Sequence, residues 1–255
     1  MIKYGITELS VIPVRTEPNE RSEMTTQVLF GETFQILEET VKWSYIKLTH
    51  DNYLGWIDNK GVTIISDEHF ESIKKRPVAI TSQLYNIVYN DKKEQLVLPP
   101  GCTLPHFDHK EKTSIINNKI YYFKDYIQNE TDITSLSERY LNCPYLWGGK
   151  NPFGIDCSGL VQVIYKIKGI SMPRDAHQQV NEGTTVNFIS EIKSGDLAFF
   201  DDDEGNIIHV GIITNKNKVI HASGKVRIDV IDQQGIFDTE LRKYTHKLRV
   251  IKRLL

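Results

Sequence analysis

The chain has 255 residues, 40% hydrophobic and 25% charged, a globular balance that excludes wholesale disorder and fibrous repeats. Lys plus Arg number 31 and Asp plus Glu 33. The formal net charge of −2 therefore argues against nucleic acid or an anionic membrane surface as the main partner.

The first strands expected are Gln27 to Phe30, Thr33 to Leu37, Trp43 to Leu48 and Leu54 to Ile57, all rich in β-branched and aromatic residues. Gly31, Glu38-Glu39 and Asp51-Asn52 punctuate them, and no helix-length periodicity intervenes. Residues 1–61 are accordingly read as a small β-barrel, with Trp43 and Trp56 in its core. Residues 62–127 repeat the texture more weakly, with strands expected at Val78 to Leu84, Gln95 to Leu98, Ser114 to Ile116 and Ile120 to Phe123. They are read as a second, divergent barrel.

Residues 128–255 change character. A helix is expected over Leu136 to Leu141, with Thr134 or Ser135 as its cap. A second follows, because Leu160, Val163, Ile164 and Ile167 fall on one helical face, with Gly169 and Pro173 as stop signals. Strands are then expected at Leu197 to Phe200, Ile207 to Ile213, Val219 to Ala222, Lys225 to Ile231 and Lys243 to Arg253. Helices followed by an antiparallel run of strands make this part α+β.

Three cysteines, Cys102, Cys143 and Cys157, can form neither a disulfide framework nor a C-x-x-C zinc pair. Glu8 and Pro13 interrupt the run a secretory signal needs, and no apolar stretch approaches the roughly 18 residues of a membrane helix. The expectation is a soluble protein of the reducing cytoplasm.

Cys157 opens the second helix, within Asp156-Cys157-Ser158-Gly159. Unsatisfied N–H groups at a helix start favour thiolate, the nucleophilic form, so a reactive cysteine is expected there. Taken alone, Cys157 reads better as a small buried apolar residue, and its surroundings reverse that preference. A nucleophile needs a base, however, and His209 and His221 lie on consecutive strands. A turn centred on Asn215 would set the two imidazoles directly opposite each other, with Cβ atoms about 4.5–5.5 Å apart, so that one could orient the other. Ile208, Val210 and Ile212 take one strand face, leaving His209 beside Gly211 on the other.

These residues resemble a known family. Tyr145-Leu146-Trp147-Gly148-Gly149, Asp156-Cys157-Ser158-Gly159, Pro173-Arg174-Asp175, Gly195-Asp196-Leu197, His209-Val210-Gly211-Ile212 and His221-Ala222-Ser223 occur in the order of NlpC-type cell-wall cysteine peptidases. Pro13-Val14-Arg15, Glu17-Pro18, Ser22-Glu23-Met24, and Tyr53 with Gly55-Trp56 resemble bacterial Src-homology-3-type modules. Together they resemble the γ-D-glutamyl-L-diamino-acid endopeptidases that trim muropeptides.

The resemblance implies a papain-like fold for the last domain, with Cys157 as nucleophile, His209 as base and His221 orienting it. Tyr145 would lie near the oxyanion, beside the Cys157 N–H. Trp147, Asp156, Ser158, Arg174 and Asp175 would line the L-Ala-γ-D-Glu pocket. Glu23, partly desolvated, and Tyr53 would hold the free amine of L-Ala. The position after Arg174-Asp175 is Ala176 where relatives commonly carry Ser, so one hydroxyl contact to substrate is expected to be missing. Cytoplasmic recycling of murein peptides follows, by a monomer needing no metal or organic cofactor and engaging neither nucleic acid nor membrane.

The alternatives are an amidase or acyltransferase on the same fold, and a non-catalytic wall-binding module. Retention of Cys157, His209 and His221 together speaks against the module. Cys102, His106 and His109 have crude ligand spacing, but Pro105 and the missing second thiol make a loop the better reading. Residues 201–206, acidic but without a distal Glu at calcium-loop spacing, are read as a solvated turn.

Overall fold

The computed structural model describes residues 2–75, 79–124 and 132–254. Two compact units divide the chain, Met1–Asn129 and Glu130–Leu255. The boundary expected at 127/128 lies outside the described residues, as does Val78 at the start of an expected strand.

The first unit begins with β1 (Lys3–Ile6), β2 (Val11–Arg15), β3 (Met24–Leu29), β4 (Thr33–Glu39), β5 (Trp43–Leu48), β6 (Leu54–Asp58) and β7 (Thr63–Ile65). They form one antiparallel sheet in the order β3-β2-β6-β5-β4-β1-β7. Alternation sends Ile12, Val14, Val28, Phe34, Ile36, Ile46, Leu48 and Ile57 into its core. Trp43 is buried as expected, but Trp56 is not in that core. Gly55 and Ile57 take the inward positions of β6, so Trp56 faces out and lies 5.2 Å from the Tyr45 ring.

Beyond residue 61, β7 still belongs to the first sheet, pairing with β1 through Tyr4↔Ile65 and Ile6↔Thr63. A helix, α1 (Asp67–Lys74), follows, capped by the Ser66 side chain. The stretch expected as a second barrel comprises β8 (Ala79–Ile80), β9 (Asn86–Asn90), β10 (Gln95–Leu98), β11 (Thr103–Leu104), β12 (Thr113–Ile116) and β13 (Lys119–Phe123). These make a four-stranded sheet, β10-β9-β13-β12, and a two-stranded one, β11-β8. Its interior is continuous with the first sheet: Ile6, Leu29, Phe30 and Ile65 pack in one cluster with Val88, Leu98, Cys102, Leu104, Ile116 and Phe123. Cys102 is thus core, its N–H bonded to Thr81.

The second unit opens with α2 (Ile133–Glu138), capped by Asp132 in place of Thr134 or Ser135. Next come a short hairpin, β14 (Lys150–Asn151) and β15 (Gly154–Ile155), then α3 (Cys157–Ile167) and α4 (Ala176–Gln179). Seven strands follow: β16 (Thr184–Val186), β17 (Leu197–Asp201), β18 (Ile207–Asn215), β19 (Lys218–Ser223), β20 (Lys225–Ile231), β21 (Gly235–Asp238) and β22 (Lys243–Arg253). Their order is β16-β22-β17-β18-β19-β20-β21, and β21 also pairs with β22. Closure of β17 through β22 encloses Ala198, Phe200, Ile213, Val219, Ile231 and Ile236, while α3 packs on β18 and β19. The helix is apolar on nearly every side because it is covered all round, with Cys157 to Lys166 all buried.

The end of the chain is tied down by charge. Arg253 donates through Nε to Asp196 Oδ1 at 2.7 Å and through Nη2 to Oδ2 at 2.6 Å, with Asp196 almost fully buried. Removing the partly exposed Arg253 would leave the buried Asp196 carboxylate without its cation. Arg253→Ala should therefore destabilise the second unit, seen as a lower urea midpoint for that unit's transition.

Candidate active site

Asp156 organises the start of α3. It is a buried N-cap whose Oδ1 accepts the Gly159 N–H at 2.7 Å, while Oδ2 accepts that of Gly148 at 2.7 Å. Arg174, 1% exposed, donates Nη1 to Oδ1 at 3.0 Å and Nη2 to Oδ2 at 2.5 Å. The same Nη1 reaches Ser158 Oγ at 2.8 Å. Gly159 is required by close approach, since a Cβ there would fall 2.3 Å from the Gly149 carbonyl oxygen. One carboxylate thus joins the glycine turn, the helix start and Arg174 around Cys157.

The backbone N–H groups of Ser158 and Val210 lie by the sulfur and favour its anion. Val210 follows His209 on β18, so the nucleophile is held beside the strand carrying the histidine.

The histidine register differs from the expected one. The turn is the pair Lys216-Asn217, not Asn215, and Ile212 pairs with Ile220 and Ile213 with Val219. Extending that register puts Gly211 opposite His221 and His209 on the diagonal. A slip of two residues preserves the strand face, so the imidazoles still meet. His209 Nε2 lies 2.8 Å from His221 Nδ1, with ring centroids 5.0 Å apart. Gly211 makes room for this, because a Cβ there would lie 3.1 Å from that of His221 and 2.5 Å from Val219 Cγ2.

Three further side chains converge here that the sequence reading did not single out. His221 Nε2 lies 2.9 Å from Asp229 Oδ2. Arg227 grips the same carboxylate through Nε at 2.7 Å and Nη2 at 2.8 Å. The His246 ring stacks on His209, centroids 4.2 Å apart and planes 27° apart. Period-two spacing puts Arg227 and Asp229 on the same face of β20 as the core residue Ile231, a detectable signal. His246 sits on β22, expected only as a strand. The ring nitrogens of His209, His221 and His246 lie within 4.8 Å of one another. A metal would have to break the His209–His221 hydrogen bond, and the linear chain of contacts suits proton transfer better.

Burial sets the protonation states. It pushes the Cys157 thiol up to about 12, reinforced by the Asp156 charge and opposed by the Val210 N–H, Arg174 and the Ser158 N–H. Burial thus works against the thiolate expected at the helix start, because the cost of desolvating the anion opposes those donors. Burial also holds His209 well below the usual imidazole range, with His221 and His246 acting in the same direction. His246 is lowered to about 4, mainly by burial. The resting pair is thiol and neutral imidazole. Such a pair can act by general-base catalysis, the imidazole accepting the thiol proton as sulfur attacks.

Tyr145 is half-buried near Cys157, its phenol raised to about 12 by burial and then by the Cys157 and Asp156 charges. Trp147 is 59% exposed beside the glycine turn. Asp156, Ser158 and Arg174 are brought together with Cys157 in the buried network described. Asp175 precedes α4, where Gln178 Oε1 accepts its N–H, and Ala176 is buried at that helix start. Gln179 fastens α4 to the Ser158 carbonyl at 3.0 Å. Glu23 and Tyr53 belong to the first unit. Tyr53 is half-buried against the first sheet's core, but Glu23 is exposed and not partly desolvated, because it lies on the turn leading into β3.

Residues 142–245 match the family described as NlpC/P60, and residues 14–62 the bacterial dipeptidyl-peptidase Sh3 domain. A gamma-D-glutamyl-L-lysine dipeptidyl-peptidase of Bacillus subtilis (strain 168) is 29% identical over 239 residues, covering 85% of this chain and 78% of its own. One of the same name from Bacillus cereus (strain ATCC 10987) is 25% identical, covering 79% and 68%. Dipeptidyl-peptidase 6 of Lysinibacillus sphaericus is 26% identical, covering 86% and 88%. Among solved structures, an NlpC/P60 family protein from Bacillus cereus ATCC 10987 superposes with TM-score 0.81, at 21% identity and 99% coverage of both chains. An NlpC/P60 endopeptidase from Photobacterium damselae subsp. piscicida superposes with TM-score 0.68, at 17% identity, covering 97% of this chain and 70% of its own. These structural likenesses establish the fold.

The protonation states predict two pH profiles. Because His209 is depressed, the neutral base survives as pH falls through 6.5, and the acid limb of kcat/KM should lie well below it. Because Cys157 is raised, its alkylation by iodoacetamide in the free protein should keep climbing with pH above 8. A plateau of fast alkylation from pH 5 upward would instead indicate a resting ion pair.

Proposed function

Because residues 142–245 form an NlpC/P60 cysteine peptidase domain behind a bacterial SH3 domain at 14–62, we propose that this peptidase cleaves between γ-D-glutamate and the diamino acid of murein peptides with a free N-terminal L-Ala. Its place would be wall-peptide recycling in the cytoplasm. The observation that carries this reading is the joint presence of both domains in one chain, together with relatives named for gamma-D-glutamyl-L-lysine dipeptide release over 79–85% of its length.

In the proposed reaction the Cys157 S–H proton passes to His209 while sulfur bonds to the γ-glutamyl carbonyl carbon. The oxyanion is met by the Cys157 N–H, with Tyr145 nearby. His209 returns the proton to the leaving amine, and a thioester remains on Cys157. Water then attacks that thioester, His209 taking its proton and restoring the thiol. His221 orients the base throughout.

Trp147 and Asp175 keep accessible surface and are proposed to contact the dipeptide. Asp156, Ser158 and Arg174 are bonded to one another, so their proposed contribution is the shape and polarity of the pocket floor. Recognition of the free amine is assigned to the Glu23 carboxylate, with Tyr53. A cationic amine forms a charge-assisted hydrogen bond, and an N-acetyl group removes the charge and adds bulk.

Purified protein should release L-Ala-γ-D-Glu from L-Ala-γ-D-Glu-L-Lys or its diaminopimelate counterpart, and leave the N-acetylated peptides at least about 100-fold slower in kcat/KM. Comparable rates on free and N-acetylated peptides would remove the recycling assignment. Cys157→Ala should abolish turnover by at least about 10³-fold with folding intact, whereas Cys102→Ser and Cys143→Ser should remain active. Glu23→Ala should raise KM for the free tripeptide and narrow the discrimination, read by mass spectrometry of timed digests.

A further inference from the structure

The His221 ring meets a charged pair on the side away from His209. Asp229 is 8% exposed, and its carboxylate meets two partners: His221 Nε2 and the Arg227 guanidinium. Arg227 in turn reaches Asp238 Oδ2 at 3.1 Å. The four side chains bridge adjacent strands, His221 on β19, Arg227 and Asp229 on β20, and Asp238 on β21, so the sheet itself holds their spacing.

An imidazole with one ring proton can donate from only one nitrogen, so the partner of one nitrogen dictates the role of the other. An ionised carboxylate only accepts. His221 therefore carries its proton on Nε2, facing Asp229, and its Nδ1 is left as an acceptor. That acceptor faces His209 Nε2 at 2.8 Å, so His209 must carry its proton there. The remaining nitrogen, His209 Nδ1, then holds a lone pair. We propose that Asp229 is a positioning residue that, through His221, locks His209 in the tautomer whose Nδ1 takes the proton of Cys157.

The proton balance is simple. The S–H bond of Cys157 breaks and the Nδ1–H bond of His209 forms, while the protons on His209 Nε2 and His221 Nε2 stay where they are. His209 becomes an imidazolium, and Asp229 supplies the anion at the end of the hydrogen-bonded chain that stabilises it. Burial opposes ionisation of Asp229, and the hydrogen bonds from His221 and from Arg227 hold its carboxyl below the ordinary carboxylate range.

The inference rests on the Cys157–His209 reading above, and two of its three tests need no substrate. In full-length protein carrying Cys157→Ala with ¹⁵N-labelled histidine, the ring-nitrogen spectrum near neutral pH should show His209 protonated at Nε2 and bare at Nδ1. Asp229→Asn should mix or reverse that assignment, because an amide can also donate to His221 Nε2. With Cys157 present, Asp229→Asn and Asp229→Ala should slow iodoacetamide alkylation about 10- to 100-fold, the range for loss of a group that orients a functional histidine. On the tripeptide both should lower kcat about as much, with KM within twofold. Asp229→Asn combined with His221→Ala should lose no more activity than His221→Ala alone, since Asp229 acts through that ring. A His209 protonated on Nδ1, alkylation and kcat within twofold of the parent in both variants, or losses that multiply in the double variant, would overturn the proposal. If the parent cleaves no murein tripeptide, the substrate assignment fails, while the spectrum and the alkylation rates still decide the role of Asp229.

Discussion

The buried carboxylate of Asp156 is the interaction on which the catalytic half of this protein depends. A carboxylate removed from water is costly unless every lone pair finds a donor, and this one has donors from two backbone N–H groups and an arginine fork. Those donors come from the glycine turn before the hairpin, the first turn of α3, and the segment leading to α4. Satisfying one charge therefore fixes three separate pieces of chain around Cys157. Breaking a buried pair of this kind by removing one partner typically costs about 3–5 kcal/mol. The helix start is held by chemistry that would fail conspicuously if any member moved.

The same burial that orders the site also restrains its reactivity. Desolvation raises the thiol and lowers the imidazole, so neither group carries charge at rest. Charge separates only when the proton moves, and the fixed dipoles around it are already in place: Val210 and Ser158 N–H at the sulfur, His221 behind the base. A half-exposed site would leave a more basic histidine exposed to solvent competition for its hydrogen bond. Here the β17–β22 enclosure keeps that bond dry, with Phe200 and His246 packed about the His209 ring.

In the first unit, the physical theme is a core shared between two sheets. The seven-stranded sheet has a core of its own, and a second cluster joins it to the smaller sheets after α1. Phe30 and Leu29 lie at the end of β3, and Cys102 and Leu104 at β11. Their meeting in one cluster joins segments some seventy residues apart. The first-sheet motif around Glu23 and Tyr53 thus rides on a scaffold larger than the motif itself.

Local physics made much of this legible from the residues alone. Period-two stretches placed β5, β10, β20 and β22 within their observed bounds, and the helical spacing of Leu160, Val163, Ile164 and Ile167 placed α3. The ordered motifs put Cys157, His209 and His221 in one domain, and the same-face parity of the two histidines survived a register slip of two because a strand repeats every second residue. Other elements escaped, among them β1, β9, α1 and α4, since their few apolar residues are broken up by Gly, Asn, Gln or charged neighbours. Only tertiary structure decided the register itself, through the Lys216-Asn217 turn, and with it the diagonal meeting of the imidazoles. It also brought in His246 and Asp229, whose approach depends on β21 closing against β22 and on β20 lying beside β19. The protonation of Cys157 was beyond the sequence for the same reason. A helix start is a local feature visible in a string of letters, whereas desolvation depends on everything packed around the sulfur from elsewhere in the chain.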